Sequence, residues 1–171
     1  MKLVIMTKST FFVEEDKILT TLFDEGMDNL HLFKPGSTPL YAERLLSLIP
    51  EDYYRKITVH DHFYLKNEYD LAGIHLDSAD TEIPNNYKGK IGRTCTDIQM
   101  LKEMKKKSSC VFLKNIFDCI EFSEEKKTFT QQQLEDAADK GLIDRHVYAL
   151  GGMSLDNIRM AKELGFGGIV I

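Results

Sequence analysis

The sequence predicts an α/β fold in which eight parallel strands close into a (β/α)₈ TIM barrel. Three observations support this prediction. Short runs rich in β-branched and aliphatic residues recur along the 171 residues, and longer amphipathic segments separate most of them. Eight such runs can be counted. Right-handed crossovers place strands of this kind side by side in one parallel sheet, and eight units close most naturally into a barrel.

The first half of the chain contains four of the predicted strands. A segment from Val13 to Met27 carries apolar residues at helical spacing after the first strand. A second helix runs from Pro39, a favoured residue in a first turn, to Ile49, and Pro50 closes it. A short polar and aromatic helix is expected at 63–69. The four strands are 2–6, 29–33, 56–60 and 72–76.

The second half repeats the pattern and then stops within its last strand. The four further strands are 89–94, 110–114, 146–150 and 167–171. The helices expected between them are 97–107, about 130–140 and 154–164. A complete barrel usually has about 200 residues or more, and the eighth helix is absent from this sequence. Either the given sequence lacks a C-terminal piece of the barrel, or the fold is a doubly wound open sheet.

Composition restricts the class of protein. The length suits a single domain, 1–171, with one core. A net charge of −5 without a basic stripe argues against nucleic acid or an anionic membrane as partner. No apolar run approaches the roughly 20 residues of a membrane span, and the N-terminus is too short for a signal peptide. We therefore expect a cytoplasmic protein; its oligomeric state stays open, and a homo-oligomer is compatible with the sequence.

The cysteines indicate reduced thiols. Cys95, Cys110 and Cys119 are odd in number and show no CxxC spacing. Neither a disulfide framework nor a structural zinc site is indicated by this pattern. Reduced thiols agree with the cytoplasmic location.

Polar residues collect where the predicted strands end, which is where parallel α/β folds bind their ligands. Four of the five histidines fall at the ends of the second, third and fourth strands. A single histidine there is most simply a hydrogen-bonded strand end, but the clustering indicates a functional face. The residues selected by this rule are His31, Phe33, Lys34, His60, Asp61, His62, His75, Asp77, Asp80, Thr94, Cys95, Thr96, Lys114, Asn115, Gly151 and Gly152.

The stretch "LGGMSLDN", residues 150–157, is typical of a phosphate-binding turn. Gly151 and Gly152 lie between a strand and a helix, where backbone N–H groups can approach an anion. Ser154 is suited to be the N-cap of that helix. In barrels a phosphate site often forms after strands seven and eight. A pair of glycines also marks an ordinary tight turn, and this simpler interpretation stays open.

Two different metal sites are compatible with the strand ends. Asp61 and Asp80 could hold Mg²⁺, which prefers oxygen ligands and keeps several waters. On an extended chain, His60 and His62 would face the same way and could bind zinc together with His75. An HxH pair is typical of barrel metal hydrolases, but it follows their first strand. Here it follows the third strand, which weakens the zinc hydrolase interpretation.

Several motifs resemble the thiamin phosphate synthase/TenI family in order and spacing, over essentially the whole chain, and most closely its TenI-like branch. The resemblance implies a (β/α)₈ barrel and a role in thiamin biosynthesis. Synthases of this family join hydroxymethylpyrimidine diphosphate to thiazole phosphate and release pyrophosphate, whereas TenI-type members shift thiazole phosphate between tautomers. The motifs are "GMDNLHLFKPG" (26–36), "ITVHDH" (57–62), "AGIHLDSAD" (72–80), "IGRTCTD" (91–97), "YALGGMSLDNI" (148–158) and "GFGGIVI".

The resemblance implies roles for individual residues. Asp61 and Asp80 match the acids that bind Mg²⁺, the implied cofactor. His60 stands where synthases commonly have an asparagine that contacts the diphosphate, and His31 where they have a glutamine. The resemblance assigns the thiazole phosphate to the pair Gly151 and Gly152.

Two of the departures from the family pattern lie after the second and fifth strands. Phe33 occupies the position of an arginine that grips the diphosphate, so a bidentate contact is lost there; Lys34 is its partial substitute. Thr96 stands where many members have a histidine used for proton transfer, while Thr94 keeps the expected hydroxyl. Thr94 and Thr96 are the substrate-binding candidates of this edge.

A third departure follows the sixth strand. Lys114 and Asn115 replace a small residue and a proline, and Phe122 stands where the branch has a lysine. Lys126 and Lys127 lie near enough in sequence to replace that charge.

Three functions follow from the resemblance. In a synthase, His60 and Lys34 steady the diphosphate. In a tautomerase, His31 or His60 is the general acid or base. The departures favour a third function, a catalytically reduced protein that binds the thiazole phosphate. The small-molecule partners in all three are phosphorylated thiazole and, for the synthase, pyrimidine substrates.

Overall fold

The structure is a computed structural model that describes residues 1–117 and 127–171. Its eight strands form a closed barrel in chain order. The closing pair, β1 with β8, is parallel like its neighbours. The predicted barrel is therefore confirmed, and the doubly wound open sheet is wrong. The strands are β1 Lys2–Met6, β2 Leu30–Leu32, β3 Ile57–Val59, β4 Gly73–Leu76, β5 Lys90–Cys95, β6 Cys110–Lys114, β7 Val147–Leu150 and β8 Gly168–Val170.

Helices occur where the sequence predicts them, with small changes at their ends. The predicted helix 97–107 is divided: Asp97 accepts a hydrogen bond from the backbone N–H of Gln99 at 2.8 Å, and a 3₁₀ turn, Ile98–Met100, precedes the α-helix. A second 3₁₀ helix is Glu51–Lys56. The α-helices are α1 Glu15–Asp24, α2 Pro39–Leu48, α3 Leu65–Glu68, α4 Leu101–Lys106, α5 Gln131–Asp139 and α6 Leu155–Glu163.

The chain divides into two compact units. One unit comprises Ile5–His75 and Glu82–Lys90. The other comprises Met1–Val4, Leu76–Thr81 and Ile91–Ile171. The expectation of a single domain stays a prediction. Among the described residues, we find no helix with the length and apolar character of a membrane span.

Strand alternation explains the core of the second unit. Successive strand residues point to opposite faces, so one set of side chains packs against the helices, where each large apolar side chain contributes about 1.5–3 kcal/mol. On the other face, the rings of Phe112 and Tyr148 stack 5.9 Å apart. Gly168 lies beside them, and an added Cβ there would meet the Tyr148 ring at 2.8 Å. The helix-facing set from the strands is Cys95, Val111, Leu113, Val147, Ala149 and Ile169.

Cys95 belongs to this core as a free thiol, as the sequence predicts. Burial raises the pKa of the Cys95 thiol, so the uncharged form is favoured at neutral pH. Its Sγ donates to the carbonyl oxygen of Asp97 at 3.0 Å. Cys119 lies outside the described residues.

Candidate active site

The unit that contains β2, β3 and β4 holds a cluster of three buried histidines. His31, His60 and His75 are each at most 5% exposed. Nδ1 of His31 lies 2.9 Å from Nε2 of His60, so one of these nitrogens donates a hydrogen bond to the other. The His60 and His75 rings stack at 4.4 Å, and the His31 ring meets the His75 ring edge-on at 5.3 Å. We call this group the histidine cluster.

Strand register brings the cluster together. His31 pairs with Thr58, and Thr58 pairs with Gly73. Positions two residues apart on a strand share a face, so His60 and His75 continue the face that begins at His31. Gly73 itself has no room for a side chain, because an added Cβ would lie 2.6 Å from the carbonyl oxygen of Lys90.

Burial sets the charge of His31. Desolvation, and then the charge that His60 would carry when protonated, lowers the pKa of His31 well below its ordinary value. His31 is therefore neutral at pH 7. A neutral imidazole can accept a proton, donate one, or coordinate a metal.

His62 does not belong to the cluster. Its backbone φ is +50°, because β3 ends at Val59 and the alternation of the strand stops before this residue. Nε2 of His62 lies 2.9 Å from the carbonyl oxygen of Ser37. The predicted zinc set of His60, His62 and His75 is therefore wrong, since among the described residues the group with ligand atoms close enough for a metal ion contains His31 instead.

Lys34 is buried in an ion pair. Its side chain is 1% exposed, and its Nζ lies 2.6 Å from Oε1 of Glu15, whose side chain is 3% exposed. It also donates to the carbonyl oxygens of Lys8 and Thr10, each at 2.9 Å. Its three N–H donors are thereby used. The Lys34 ammonium therefore stabilises the loop between β1 and α1 and is not exposed at the end of β2.

Asp61 is a half-buried carboxylate at the end of β3. Its Oδ2 accepts a hydrogen bond from the backbone N–H of Lys34 at 3.2 Å. Within the described residues it forms no ion pair with a lysine or arginine, so its charge stays available. An oriented carboxylate without a fixed counter-ion is the type of ligand that Mg²⁺ takes. The residue present therefore fits the implied cofactor.

Phe33 forms part of the wall beside the cluster. Its ring is half-buried and meets the His60 ring edge-on, with the centroids 5.4 Å apart. Its backbone N–H donates to the hydroxyl of Thr7 at 3.0 Å. A neutral ring thus stands where the resemblance predicts an arginine.

The second unit has a pocket at the ends of β4 and β5. Its volume is about 360 Å³, within the range of small-molecule sites. The predicted substrate residues Thr94 and Thr96 both line it. The Thr94 hydroxyl lies 3.2 Å from Oδ1 of Asp77, and Thr96 is exposed. Further lining residues are Asp77, Ser78, Ala79, Cys95, Asp97, Met100 and Met104.

Asp80 lies just after this pocket wall, in an exposed turn. Its backbone N–H donates to the Ser78 hydroxyl at 3.2 Å. No described lysine or arginine forms an ion pair with it. An exposed acid of this kind is compatible with metal binding and equally with simple solvation.

The turn after β7 has the backbone conformation that glycine favours. Gly151 and Gly152 have φ values of +99° and +61°. A Cβ on Gly151 would lie 3.1 Å from the backbone nitrogen of Asn115. Ser154 is the N-cap of α6, as predicted. The turn therefore exposes backbone at the start of α6, which is the arrangement that favours an anion.

Asn157 holds this turn in place. Its Oδ1 accepts from the Ser154 backbone N–H at 2.8 Å, and its Nδ2 donates to the Gly152 carbonyl oxygen at 2.7 Å. This role was not predicted from the sequence, although Asn157 stands three positions after a serine N-cap, where a capping box has its second polar residue.

Other candidates fall at or beyond the end of β6. Lys114 is half-buried, at the last position of that strand, and Asn115 has a φ of +62°. Lys127 is exposed. Phe122 and Lys126 lie outside the described residues, so the predicted loss of a charged partner there stays a prediction.

The resemblance to known structures is high. The structure of a thiamine phosphate pyrophosphorylase from Bacteroides thetaiotaomicron is similar to this chain, with 44% sequence identity and a TM-score of 0.89. The match covers 100% of this chain and 82% of that one. The chain belongs to the thiamin phosphate synthase family. That family is also called thiamine phosphate pyrophosphorylase, and the family predicted from the motifs is thereby confirmed. No family model matches the chain, and no curated protein does.

More distant structures share the fold with this member of the thiamin phosphate synthase family. A thiamine phosphate pyrophosphorylase from Pyrococcus furiosus is 19% identical, with a TM-score of 0.71 over 99% of this chain and 83% of that one. A 3-hexulose-6-phosphate synthase is 14% identical, with a TM-score of 0.64 over 100% and 89%. At these identities the likeness supports the barrel alone.

Proposed function

We propose that this protein joins hydroxymethylpyrimidine diphosphate to thiazole phosphate and releases pyrophosphate. The observation that carries the proposal is the 44% identity to a thiamine phosphate pyrophosphorylase along the whole of this chain. The strand ends support it, because they carry an oriented acid, a glycine turn and a pocket to which Thr94 and Thr96 contribute hydroxyls. Each of these features suits a phosphorylated substrate.

The proposed reaction breaks the C–O bond between the pyrimidine methylene and the diphosphate. Pyrophosphate leaves with the electron pair, and the thiazole nitrogen then supplies the pair for the new C–N bond. Bound Mg²⁺ would offset the negative charge that develops on the leaving group. Asp61 and Asp80 are the residues proposed to hold it. Of these, Asp61 is already oriented by the Lys34 backbone N–H.

The chain's own groups position the substrates. Gly151 and Gly152 are proposed to bind the thiazole phosphate through backbone N–H groups, and Asn157 keeps that turn in shape. Thr94 and Thr96 are proposed to contact substrate from the pocket that they line. His60 is proposed to replace an amide contact to the diphosphate. Its neighbour His31 fixes the His60 ring through their hydrogen bond.

The sequence suggested that Lys34 contacts the diphosphate directly, but the structure favours an indirect role. A direct contact with the diphosphate would require it to leave Glu15 and two carbonyl oxygens. Such a step leaves a buried carboxylate without its counter-charge, which is costly. We therefore propose that Lys34 acts through its backbone N–H on Asp61 and through the loop that its ammonium fastens.

One observation favours a second candidate, a protein that binds thiazole phosphate without joining it. Phe33 brings a neutral ring to the end of β2, and the ammonium of Lys34 is turned into the interior. That strand end therefore offers no cationic side chain for a diphosphate. A TenI-type tautomerase would instead need His31 or His60 as its acid or base, because Thr96 replaces the usual histidine.

The proposal places the protein in the cytoplasm. The odd number of cysteines without CxxC spacing supports this, as does the buried Cys95 thiol. A homo-oligomer stays a prediction.

A coupled pyrophosphate assay tests the proposed function. The purified chain is incubated with both phosphorylated substrates, with and without Mg²⁺, and pyrophosphate is followed over time. Release that requires both substrates and the metal supports the synthase. If no pyrophosphate appears, interconversion of thiazole tautomers would show the tautomerase, and saturable binding of thiazole phosphate alone would show the binding protein.

A further inference from the structure

The histidine cluster has the composition of a transition-metal site. It consists of three imidazoles, each able to offer one ring nitrogen, and these nitrogens lie within 4.8 Å of one another. Three histidine nitrogens plus one water form a common catalytic zinc site. Mg²⁺ prefers oxygen ligands, so the metal proposed for Asp61 and Asp80 does not explain this group.

We propose that His31, His60 and His75 together bind one divalent transition-metal ion of the zinc class. The ion would replace the hydrogen bond between His31 and His60 as the contact that fixes the two rings. It is a second kind of metal, held by nitrogen ligands on β2, β3 and β4.

The present distances are close to those of a bound state. Zinc–nitrogen bonds of about 2.0–2.1 Å in a tetrahedral site separate two ligand nitrogens by roughly 3.3 Å. Nδ1 of His31 and Nε2 of His60 are 2.9 Å apart, so they would separate by a few tenths of an ångström. The His75 ring already stacks on His60 at 4.4 Å, and the ligand nitrogen of His75 lies within 4.8 Å of those of His31 and His60.

The surrounding strands hold the three rings in place. His60 donates its backbone N–H to the carbonyl oxygen of Leu32 at 3.1 Å, which ties β2 to the end of β3. The residues that alternate with the histidines are aliphatic and almost fully buried, so the strands carrying the ligands are anchored on their other face. These residues are Leu30, Leu32, Val59, Ile74 and Leu76.

The local charges permit a cation. The ring beside His60 is that of Phe33, which is neutral. Lys34, the buried cation next in sequence, is neutralised by Glu15 at 2.6 Å. A divalent ion among the three imidazoles therefore meets no uncompensated positive charge from these neighbours.

Metal titration of the whole chain tests the proposal. The protein is dialysed against a chelator, and Co²⁺ is added while heat and visible absorption are recorded. We expect one equivalent per chain, with the strong visible bands of tetrahedral cobalt, and displacement of cobalt by Zn²⁺. Absence of saturable binding, or only the faint spectrum of octahedral cobalt, would overturn the proposal.

Matched variants locate the ion. His31→Gln, His60→Asn and His75→Asn each remove one ligand, and each should weaken binding by at least about 100-fold, more than the usual loss of an outer-shell partner. His62→Gln, a histidine outside the cluster, and Asp61→Asn should bind as tightly as the unmodified chain. Binding that survives all three cluster variants, or that is lost in Asp61→Asn, would contradict the assignment.

A measurement on the unmodified chain covers the case in which a variant fails to fold. X-ray absorption of the zinc-loaded protein should show imidazole ligands at about 2.0–2.1 Å, numbering three. A shell of oxygen ligands with fewer than three imidazoles would refute the site. Circular dichroism of each variant shows whether its loss of binding reflects a lost ligand or a lost fold.

Discussion

Two sets of strand ends in this molecule are built in different ways. We call the ends of β2–β4, with His31, His60 and Lys34, the histidine edge, and the ends of β5–β7, with Thr94 and Gly151, the glycine edge. At the histidine edge, buried side chains hold one another: an imidazole pair at 2.9 Å and an ion pair at 2.6 Å. At the glycine edge, Thr94 lines an open pocket, and Gly151 lies in a turn of positive φ.

This difference predicts that substitutions at the two edges affect different properties, the free energy of unfolding in one case and ligand binding in the other. A buried polar network loses much free energy when one member is removed, because the others are left without partners. An open turn loses its ligand contacts with a smaller effect on folding. Substitutions of the buried residues at the histidine edge should therefore affect folding most, and those at the glycine edge should affect substrate binding most.

The largest effect is expected for Lys34→Met. Glu15 would keep a buried charge without a partner, and the free energy of unfolding should fall by about 3–5 kcal/mol. Denaturant unfolding monitored by circular dichroism measures this loss. The double variant with Glu15→Leu should recover most of it, since an apolar pair can replace a buried ion pair at little cost.

The matched control is the exposed pair Lys17–Glu14, whose side chains are 70% and 60% exposed at 2.7 Å. Lys17→Met should cost at most about 1 kcal/mol. Equal losses for Lys17→Met and Lys34→Met would remove the distinction between buried and exposed ion pairs on which the comparison depends.

The next effect is expected for Asp61→Asn, and it should appear in activity. Loss of a group that stabilises the leaving diphosphate should lower kcat/KM for pyrophosphate release by about 100-fold or more. Steady-state kinetics over a range of Mg²⁺ concentrations measures it. Asp70→Asn, which removes an exposed acid paired with Arg55, is the control and should leave the rate unchanged. An unchanged rate in Asp61→Asn would remove this acid from the site.

A smaller effect is expected for Gly151→Ala at the glycine edge. Its φ of +99° strains any side chain, and the Cβ would also press on the backbone of Asn115 at 3.1 Å. The strain alone costs roughly 1–2 kcal/mol. We expect that loss in unfolding free energy together with a raised KM for thiazole phosphate.

Gly165→Ala is the control for this substitution. Gly165 has a φ of +85°, and a Cβ added there would have open space around it. This variant should show the loss of stability without the change in KM. If both variants change KM equally, the turn at Gly151 does not contact the phosphate.

The smallest effect concerns the ion pair of Lys105 and Asp144. Burial opposes ionisation of Asp144, but Lys105 at 2.7 Å and the His146 backbone N–H lower the pKa of Asp144 below its ordinary value. A lowered pKa stabilises the folded chain above the ordinary value near 4, and this contribution is lost as the pH falls through the lowered pKa. Asp144→Asn should therefore cost less than about 1 kcal/mol at pH 7. Its difference from the unmodified chain should shrink below about pH 4, measured by thermal unfolding at several pH values.

Local patterns were sufficient to predict the fold. Strand runs such as 110–114 and helix signals such as Pro39 depend on residues close in sequence, and the structure places elements where these signals occur. The order of the strands alone also predicted that His31, His60 and His75 lie at the carboxyl ends of neighbouring strands.

Contacts between distant residues could not be predicted in this way. Glu15 pairs with Lys34 across 19 positions, and no periodicity connects an acid in α1 to a lysine after β2. The predicted orientation of His62 was wrong for a different reason: β3 ends at Val59, and the positive φ of His62 takes it out of the alternation of strand faces. The role of Asn157 depends on a residue close in sequence, the Ser154 N-cap, but its hydrogen bonds to the turn were not predicted from that cap.

Phosphorus NMR of the complete reaction mixture tests the synthase most directly. The unmodified chain with Mg²⁺, hydroxymethylpyrimidine diphosphate and thiazole phosphate should convert the diphosphate ester signals into free pyrophosphate. One equivalent of a new phosphate monoester should appear at the same rate, and Asp61→Asn should slow both changes together. The synthase would be contradicted if the hydroxymethylpyrimidine diphosphate signals persist unchanged while the thiazole phosphate signal broadens or shifts on binding the protein. That result would indicate a binding protein.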